Sequence, residues 1–398
     1  ILNSIKTTIE IKMNYDLTDD QYAFQQTARK FAQQQLAPFA KEWDEQQTFP
    51  KKAFIEAGKL GFMAMYVPET KEGIGLSRLD SAIIMEELAS ECTSTAAFIS
   101  IHNMAFNMLA RYGQSSVLDD WCIDLASGRK LVSYCLTEPG AGSDAASLST
   151  KAERHDDHYL LNGTKAFISG AGETDLLIVM ARTSPNGAKG VSCFAVPANT
   201  MGISFGKKEQ KLGWNNQPTA LINFDNVRIP LDHRLAEEGQ GFKLAMEGLD
   251  GGRINIAACS LGTARKSLEL SINYVKERKQ FGQAISEFQA TQFKLADMLT
   301  ELTAARQMIR LAAYKLDSSH SDKATYCAMA KRFTTDLCFR ICDEALQLHG
   351  GYGYIKEYPL ERHFRDTRVH RILEGTNEIM RIIIAKRLLT DENMNLLS

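Results

Sequence analysis

The hydrophobic pattern of this chain changes its period twice, and that change constrains the fold more than any other feature of the sequence. From Thr18 to about Lys130, apolar residues recur at three- and four-residue spacing, as in helices that bury one stripe. Phe24, Ala28, Phe31 and Leu36 form the first stripe, and Thr18-x-x-Gln21 ahead of it fits a capping box, in which each side chain satisfies a free backbone N–H at the helix start. Further helices are predicted over Leu79–Ala89 and Ala96–Tyr112, and Pro68, Gly73 and Gly75 punctuate the loop between the halves of this zone. From about Leu131 to Pro230 the signal becomes short β-rich runs, among them Leu131–Leu136, Leu176–Ala181, Val191–Val196 and Ala220–Phe224. Asn162-Gly163, between Tyr159–Leu161 and Lys165–Ile168, reads as a hairpin turn. No helical stretch separates these runs, so an antiparallel barrel or sandwich is expected rather than a doubly wound α/β sheet. No GxGxxG joins a strand to a helix here, which removes the main argument for a Rossmann domain. From Gly241 onward long helical patterns return over Ile254–Lys276, Phe288–Leu316, Lys323–Leu348 and Thr376–Leu389, and their short links suggest an antiparallel four-helix bundle.

The expected architecture is therefore α+β and multidomain: an all-α domain over 13–130, a β domain over 131–240 and a helical bundle over 241–398. A chain of 398 residues exceeds what one core organises. Its 46 Lys+Arg against 48 Asp+Glu leave a net charge of −2, with both signs scattered, which argues against a nucleic-acid partner. No apolar run approaches the ~18 residues of a membrane span. The eight cysteines form no CxxC pair and read as reduced thiols of a cytosol-like compartment: a bacterial cytoplasm is favoured, or the mitochondrial matrix if the source is eukaryotic. Residues 1–12 precede Met13 and lack the character of a transit or secretion signal, so Met13 is read as the natural start.

Several short stretches carry candidate chemistry. Tyr134-Cys-Leu-Thr-Glu-Pro-Gly-Ala-Gly-Ser-Asp144 takes a strand into a glycine loop whose N–H groups could cradle an anion or a polar ring, although a tight turn would use the same residues. Gln347-Leu-His-Gly-Gly-Tyr-Gly353 ends a long helix; its glycines serve as a C-cap and also leave room for a diphosphate. Glu374, in Ile372-Leu-Glu-Gly-Thr-Asn377, is either a carboxylate whose pKa apolar neighbours raise into the range of a general base or a surface charge at a helix start. Asp250-Gly-Gly-Arg253 reads as the cap of the first bundle helix. Glu277–Gly282 (ERKQFG) suits a phosphate or a solvated interhelical turn. Cys338 and Cys342 share a helix face but lack a His pair, so core thiols rather than a metal site are expected.

Taken together and in this order, these stretches resemble the acyl-CoA dehydrogenase family, over essentially everything from Met13 onward. Cys135-Leu-Thr-Glu-Pro-Gly-Ala-Gly-Ser-Asp matches its first signature; Gln347-x-x-Gly-Gly-x-Gly with Glu357, Arg362 and Asp366 matches its second. The resemblance implies FAD, with Tyr134, Leu136, Thr137, Gly142 and Ser143 along its ring and pyrophosphate and Phe167, Ile168 and Ser169 flanking the isoalloxazine. Many members have Trp where Phe167 stands. Thr376, Glu378 and Gly350 would also reach the FAD, while Arg278, Phe281, Gln347 and Gly351 match positions that contact the FAD of a neighbouring subunit, implying a dimer at least and, as is usual in the family, a homotetramer.

By the same resemblance Glu374 is the catalytic base. It would take the α-proton of an acyl-CoA thioester while a β-hydride passes to flavin N5, with the base's backbone N–H and a ribityl hydroxyl steadying the enolate. Some relatives carry the base at the position of Gly252, which here has no side chain. Ser143, Leu249, Asp250, Arg253, Leu373 and Gly375 match the substrate surround. SIHNM (100–104), KAFISGAGE (165–173), GWNNQPT (213–219), GGRINIA (251–257) and HGGYGY (349–354) point to the branch that oxidises short 2-methyl-branched acyl groups, isobutyryl-CoA to methacrylyl-CoA above all, with electron-transfer flavoprotein as acceptor. A butyryl- or 2-methylbutyryl-CoA dehydrogenase, an acyl-CoA oxidase and a non-enzymatic helical scaffold are the competing readings.

Overall fold

The computed structural model describes residues 16–390 and Leu396; the expected start at Met13 and the stretch before it lie outside them. The first helical zone holds α1 (Asp19–Phe31), α2 (Ala40–Gln46), α3 (Lys51–Gly58), α4 (Arg78–Glu91), α5 (Thr93–Tyr112) and α6 (Ser115–Ala126). The capping box forms as expected: the Thr18 hydroxyl accepts from the Gln21 N–H, and the Gln21 carbonyl oxygen accepts from the Thr18 N–H, both at 3.2 Å. A second box, Ser77 with Asp80, starts α4.

The middle zone contains β1 (Val132–Cys135), β2 (Lys151–Arg154), β3 (His158–Ser169), β4 (Leu176–Arg182), β5 (Val191–Pro197), β6 (Ile203–Phe205), β7 (Thr219–Pro230) and β8 (Arg234–Leu235). The strand order is β6-β7-β3-β2-β4-β5-β8, with β1 also on β4. Most pairings are antiparallel, as expected, but β1 and β2 each run parallel to β4. Residues alternate along β4: Leu177, Val179 and Ala181 face a core shared with β3 and β7, while Leu176, Ile178 and Met180 face α5 and α6. Both faces of β4 are thus covered, which is why it reads as an unbroken apolar run.

Asn162-Gly163 is not a hairpin turn. β3 continues through it, and the register against β7 slips between Leu161 and Gly163. Gly163 has φ +146°, and a Cβ there would meet Thr150 Oγ1 at 2.6 Å. The dipeptide marks a β-bulge, where glycine supplies the backbone freedom. The turn that does reverse the chain is His155–Asp157, between β2 and β3.

The last zone comprises α7 (Gly241–Glu277), α8 (Gln289–Asp317), α9 (Lys323–His349), the unexpected short α10 (Leu360–Arg368) and α11 (Asn377–Leu389). α7 starts well before Asp250, so Asp250-Gly-Gly-Arg253 lies inside a helix and caps nothing. The helices of the first and last zones share one apolar core, in which Ile84 and Leu88 of α4 join Ile254 and Leu261 of α7 and Cys338 and Cys342 of α9. Buried carboxylates fix the stacking: Glu87 of α4 accepts from Arg29 of α1 at 3.0 Å and Arg265 of α7 at 2.8 Å, and Glu86 pairs with Arg306 of α8 at 2.8 Å. Removing one partner of such a buried pair strands the other's charge.

α4 and α7 cross at Gly262, where an added Cβ would drive into the Glu86 carbonyl. Gly262→Val should therefore cost about 3 kcal/mol of stability, measured as a lowered denaturation midpoint.

Candidate functional site

Glu374 lies in the turn that leads into α11. Both Glu374 (φ +56°) and Gly375 (φ +83°) are left-handed, a strained conformation for the glutamate. Thr376 then caps the helix, its Oγ1 accepting from the Ile379 N–H at 3.3 Å. Glu374 is therefore not a capping charge. The turn is pinned from two helices: Arg253 of α7 donates from Nε to the Glu374 carbonyl at 3.3 Å, and Lys331 of α9 donates from Nζ to the Gly375 carbonyl at 2.8 Å.

Held this way, the Glu374 carboxylate rests on α7 at Gly252. A Cβ on Gly252 would sit 2.6 Å from Oε2 and 3.0 Å from Oε1. Next along the helix, a Cβ on Gly251 would sit 2.5 Å from Arg78 Nη1. Two glycines within one helix cost about 1 kcal/mol each relative to alanine, and here they make room for a carboxylate and a guanidinium. Oε2 of Glu374 is sealed from solvent with no hydrogen-bond partner. Burial raises the Glu374 pKa to about 7, against the opposing charges of Arg253 and Lys331. A carboxyl group with that pKa can take up and release a proton at neutral pH.

The surround is part apolar, part polar. Leu373 packs with Ala97, Ile101, Trp214 and Ile256. On the Gly251 side, the Arg78 guanidinium stacks 3.5 Å over the ring of Tyr66, and the Tyr66 hydroxyl accepts from Asn255 Nδ2 at 3.3 Å. Asp250 and Arg253 form a buried pair at 2.6 Å. Leu249 joins the sheet-side core instead, so the structure does not bring it together with Leu373.

The loop after β1 is built around a buried salt bridge that the sequence reading missed. Lys165 Nζ lies 2.8 Å from Glu138 Oε1 and donates to the Leu136 carbonyl at 3.0 Å. Glu138 also accepts from the backbone N–H groups of Ser149 and Thr150 at 2.6 and 2.9 Å. Burial would push its pKa up, but the Lys165 ammonium and these donors prevail and hold it at about 2. Tyr134 and Thr137 are half-buried, Leu136 is buried, and Gly142 and Ser143 are exposed at the loop's tip. The Ala166 N–H bonds the Thr137 carbonyl at 2.8 Å, which sets the Phe167–Ser169 stretch beside this loop. Phe167 takes a left-handed backbone (φ +57°) and leaves its ring 68% exposed; Ile168 is buried and Ser169 half-buried.

Arg278, Gln347, Gly350 and Gly351 line, with Tyr352 among others, a separate pocket of about 420 Å³ at the ends of α7 and α9. Gly350, at φ +58°, ends α9, and the Arg278 guanidinium lies 5.7 Å from the Tyr352 ring centre. Phe281 projects nearby, 94% exposed. Glu378 points outward and pairs with Arg381 at 3.4 Å.

Comparison with known proteins accounts for this arrangement. Models of the N-terminal, middle and C-terminal domains of acyl-CoA dehydrogenase match residues 18–129, 133–227 and 239–389. The chain belongs to the acyl-CoA dehydrogenase family. It is 53% identical over 378 residues to the mitochondrial isobutyryl-CoA dehydrogenase of Dictyostelium discoideum (95% of this chain, 91% of that one) and 51% identical over 375 residues to that of Bos taurus (94% and 90%). The butyryl-CoA dehydrogenase structure from Megasphaera elsdenii superposes with a TM-score of 0.91 at 38% identity, over 95% of this chain and all of that one.

Acyl-CoA dehydrogenases are FAD-dependent oxidoreductases, and the residues present fit that cofactor. Gly140, Gly142, Gly350 and Gly351 all have open space where a Cβ would stand, the exposed Phe167 ring offers a stacking face, and Arg278 edges the second pocket.

Sequence reasoning missed Tyr66, Arg78, Asn255 and Lys331 around the carboxylate. For Lys331 a signal existed, since it falls on the buried stripe of α9 between Cys327, Ala328 and Cys338. A charge on a core stripe is rare without a partner.

Gly252→Ala should displace the Glu374 carboxylate while leaving the fold intact. Anaerobic flavin reduction should slow by about 10²-fold or more at an unchanged melting temperature.

Proposed function

We propose that this acyl-CoA dehydrogenase oxidises a short, 2-methyl-branched acyl-CoA, isobutyryl-CoA to methacrylyl-CoA, with Glu374 as the base. The observation that carries the reading is the Glu374 carboxyl group itself: half-buried, unpaired at Oε2, seated on Gly252 and tuned near neutrality. Its Oε2 has room for one hydrogen bond, and the α-proton of a thioester is a suitable partner. FAD, held by the β1 loop and the Phe167–Ser169 stretch, supplies the acceptor for the hydride from the β-carbon. Leu373, Ile101 and Ile256 provide apolar contact for the acyl group. Asp250 and Arg253, expected near CoA, also serve the Glu374 turn from within the protein.

The identity to the two isobutyryl-CoA dehydrogenases supports this substrate, and family membership supports electron-transfer flavoprotein as the partner that takes the electrons. Both relatives are named as mitochondrial; the buried free thiols suit that matrix or a bacterial cytoplasm. Among the described residues no helix is long and apolar enough to cross a membrane. A homotetramer is supported by the open 420 Å³ pocket and by apolar side chains left outside, Phe281 at 94% and Phe293 at 63% exposed.

A panel of acyl-CoAs tests the substrate. kcat/KM should be highest for isobutyryl-CoA, about 10–200-fold lower per misplaced methylene and lowest for octanoyl-CoA; an octanoyl-CoA optimum would overturn the branched-chain reading. Because the ionised carboxylate is the active form, the rate of reduction should fall as pH drops below about 7, and Glu374→Gln should lose it by about 10²–10⁴-fold.

Arg278→Ala should weaken FAD retention and the tetramer together, followed by flavin absorbance and size-exclusion chromatography. Loss of one property alone would separate this pocket from the subunit interface.

A further inference from the structure

Lys331 is a fully buried lysine in α9, and the reaction as proposed above gives it no part. Its Nζ makes two hydrogen bonds, to the Gly375 carbonyl at 2.8 Å and to Asn377 Oδ1 at 2.9 Å. Asn377 is buried too, and its amide donates to Thr335 Oγ1 at 3.0 Å and Asp336 Oδ1 at 2.9 Å. The ammonium therefore grips both the left-handed turn that carries Glu374 and the first residue of α11. A buried ammonium is expensive to desolvate, and a neutral side chain could fill the same space. The cost is accepted where the ammonium's charge acts on the Glu374 carboxylate together with that of Arg253.

We propose that Lys331 is a positioning residue for the Glu374 base: it clamps the Glu374–Gly375 turn through the Gly375 carbonyl, and its charge favours the ionised carboxylate. This rests on reading Glu374 as the base.

The clamp matters because the Glu374 and Gly375 conformations are strained. Without the Lys331 bond, the side-chain hold on the carbonyls of Glu374 and Gly375 falls to Arg253, through a longer contact to the Glu374 carbonyl, and the carboxylate is freer to leave Gly252. The charge matters because burial drives Glu374 towards its neutral form, and only Arg253 and Lys331 oppose this. Other groups share the neighbourhood. Around Lys331 stand Arg253 from α7, Asp336 from α9 itself and Glu378 from α11, with His370 beside it. Tyr66 and Tyr134 lie in the field of Glu374, and burial holds both as neutral phenols. Burial also lowers the Lys331 pKa to about 7, with Glu374 acting against that shift. The two groups thus titrate as a coupled pair.

The test uses FAD-loaded enzyme carrying Lys331→Met, which keeps the volume without charge or donor, Lys331→Gln, which keeps a donor without charge, and Lys331→Arg, which keeps both. Anaerobic flavin reduction by isobutyryl-CoA is followed from pH 6 to 9. The protonated-carboxyl infrared band of Glu374, isolated by subtracting the Glu374→Gln spectrum, is titrated alongside. Lys331→Met should reduce flavin at least about tenfold more slowly at neutral pH and move both midpoints up by about one pH unit or more, the size expected for loss of a neighbouring opposite charge. Lys331→Gln should show the same upward shift with a smaller loss of rate, and Lys331→Arg should return both midpoints towards wild type. If Lys331→Met does not fold, the Gln and Arg pair decides on the same criterion. Unchanged midpoints, with or without a lower melting temperature, would overturn the proposal and leave Lys331 as a core residue only. Glu374→Gln is the control: if it reduces flavin at near the wild-type rate, the base reading itself fails, whereas an inactive Glu374→Gln beside unshifted Lys331 variants sinks only the role of Lys331.

Discussion

The seating of one carboxylate on one glycine organises this structure. Glu374 reaches α7 only because Gly252 has no side chain, and it stays there because Arg253 and Lys331 each hold a carbonyl of its turn. That arrangement requires α7 to run unbroken through two glycines, α9 to pack beside it with a buried lysine in register, and α11 to begin at a fixed point after the turn. The bundle is a frame for that geometry. Its shared core with α4 and α5 carries Tyr66, Arg78 and Ile101 to the same place.

Two carboxylates in this chain end in opposite states, although burial pushes the pKa of both upwards. Glu138 is buried with an ammonium and several N–H donors directed at it and stays ionised, so it is a rigid element that shapes the β1 loop. The cations near Glu374 bond backbone carbonyls, its own and that of Gly375, rather than its carboxylate, and its pKa rises to about 7. The difference lies in where the positive groups point. The first arrangement shapes a loop, and the second suits the proton transfer proposed for Glu374.

The β domain and the bundle each carry glycines that fit a part of the proposed cofactor surface. Glycines at Gly140, Gly142, Gly350 and Gly351 leave the backbone open to a ligand, whereas Gly251, Gly252 and Gly262 are filled at once by neighbouring groups. The two classes look alike as letters, yet one makes room for a ligand and the other for the protein's own charges and helices.

How much of this was legible in the sequence follows from which contacts are local. The capping box at Thr18, the periods of α8, α9 and α11, and the runs of β4 and β5 depend on neighbours a few residues away, and each was readable. Motif resemblance then fixed the family, the cofactor and Glu374 as the candidate base. Asn162-Gly163 was misread because the same dipeptide serves a hairpin turn or a bulge, and pairing of β3 with a distant β7 decides which. Asp250-Gly-Gly was misread as a helix start because glycine weakens a helix, and only the Arg78 and Glu374 side chains show why it is kept inside one. Lys331 is 43 residues from Glu374 in sequence; its place on the core stripe of α9 marks a charge that needs a partner, but nothing local says that the partner lies in the Glu374 turn. The sequence alone determined the zones and the family, and it singled out Glu374 as the candidate base. The tertiary structure decided what surrounds that carboxylate, because burial and the aim of distant charges exist only once the helices have packed.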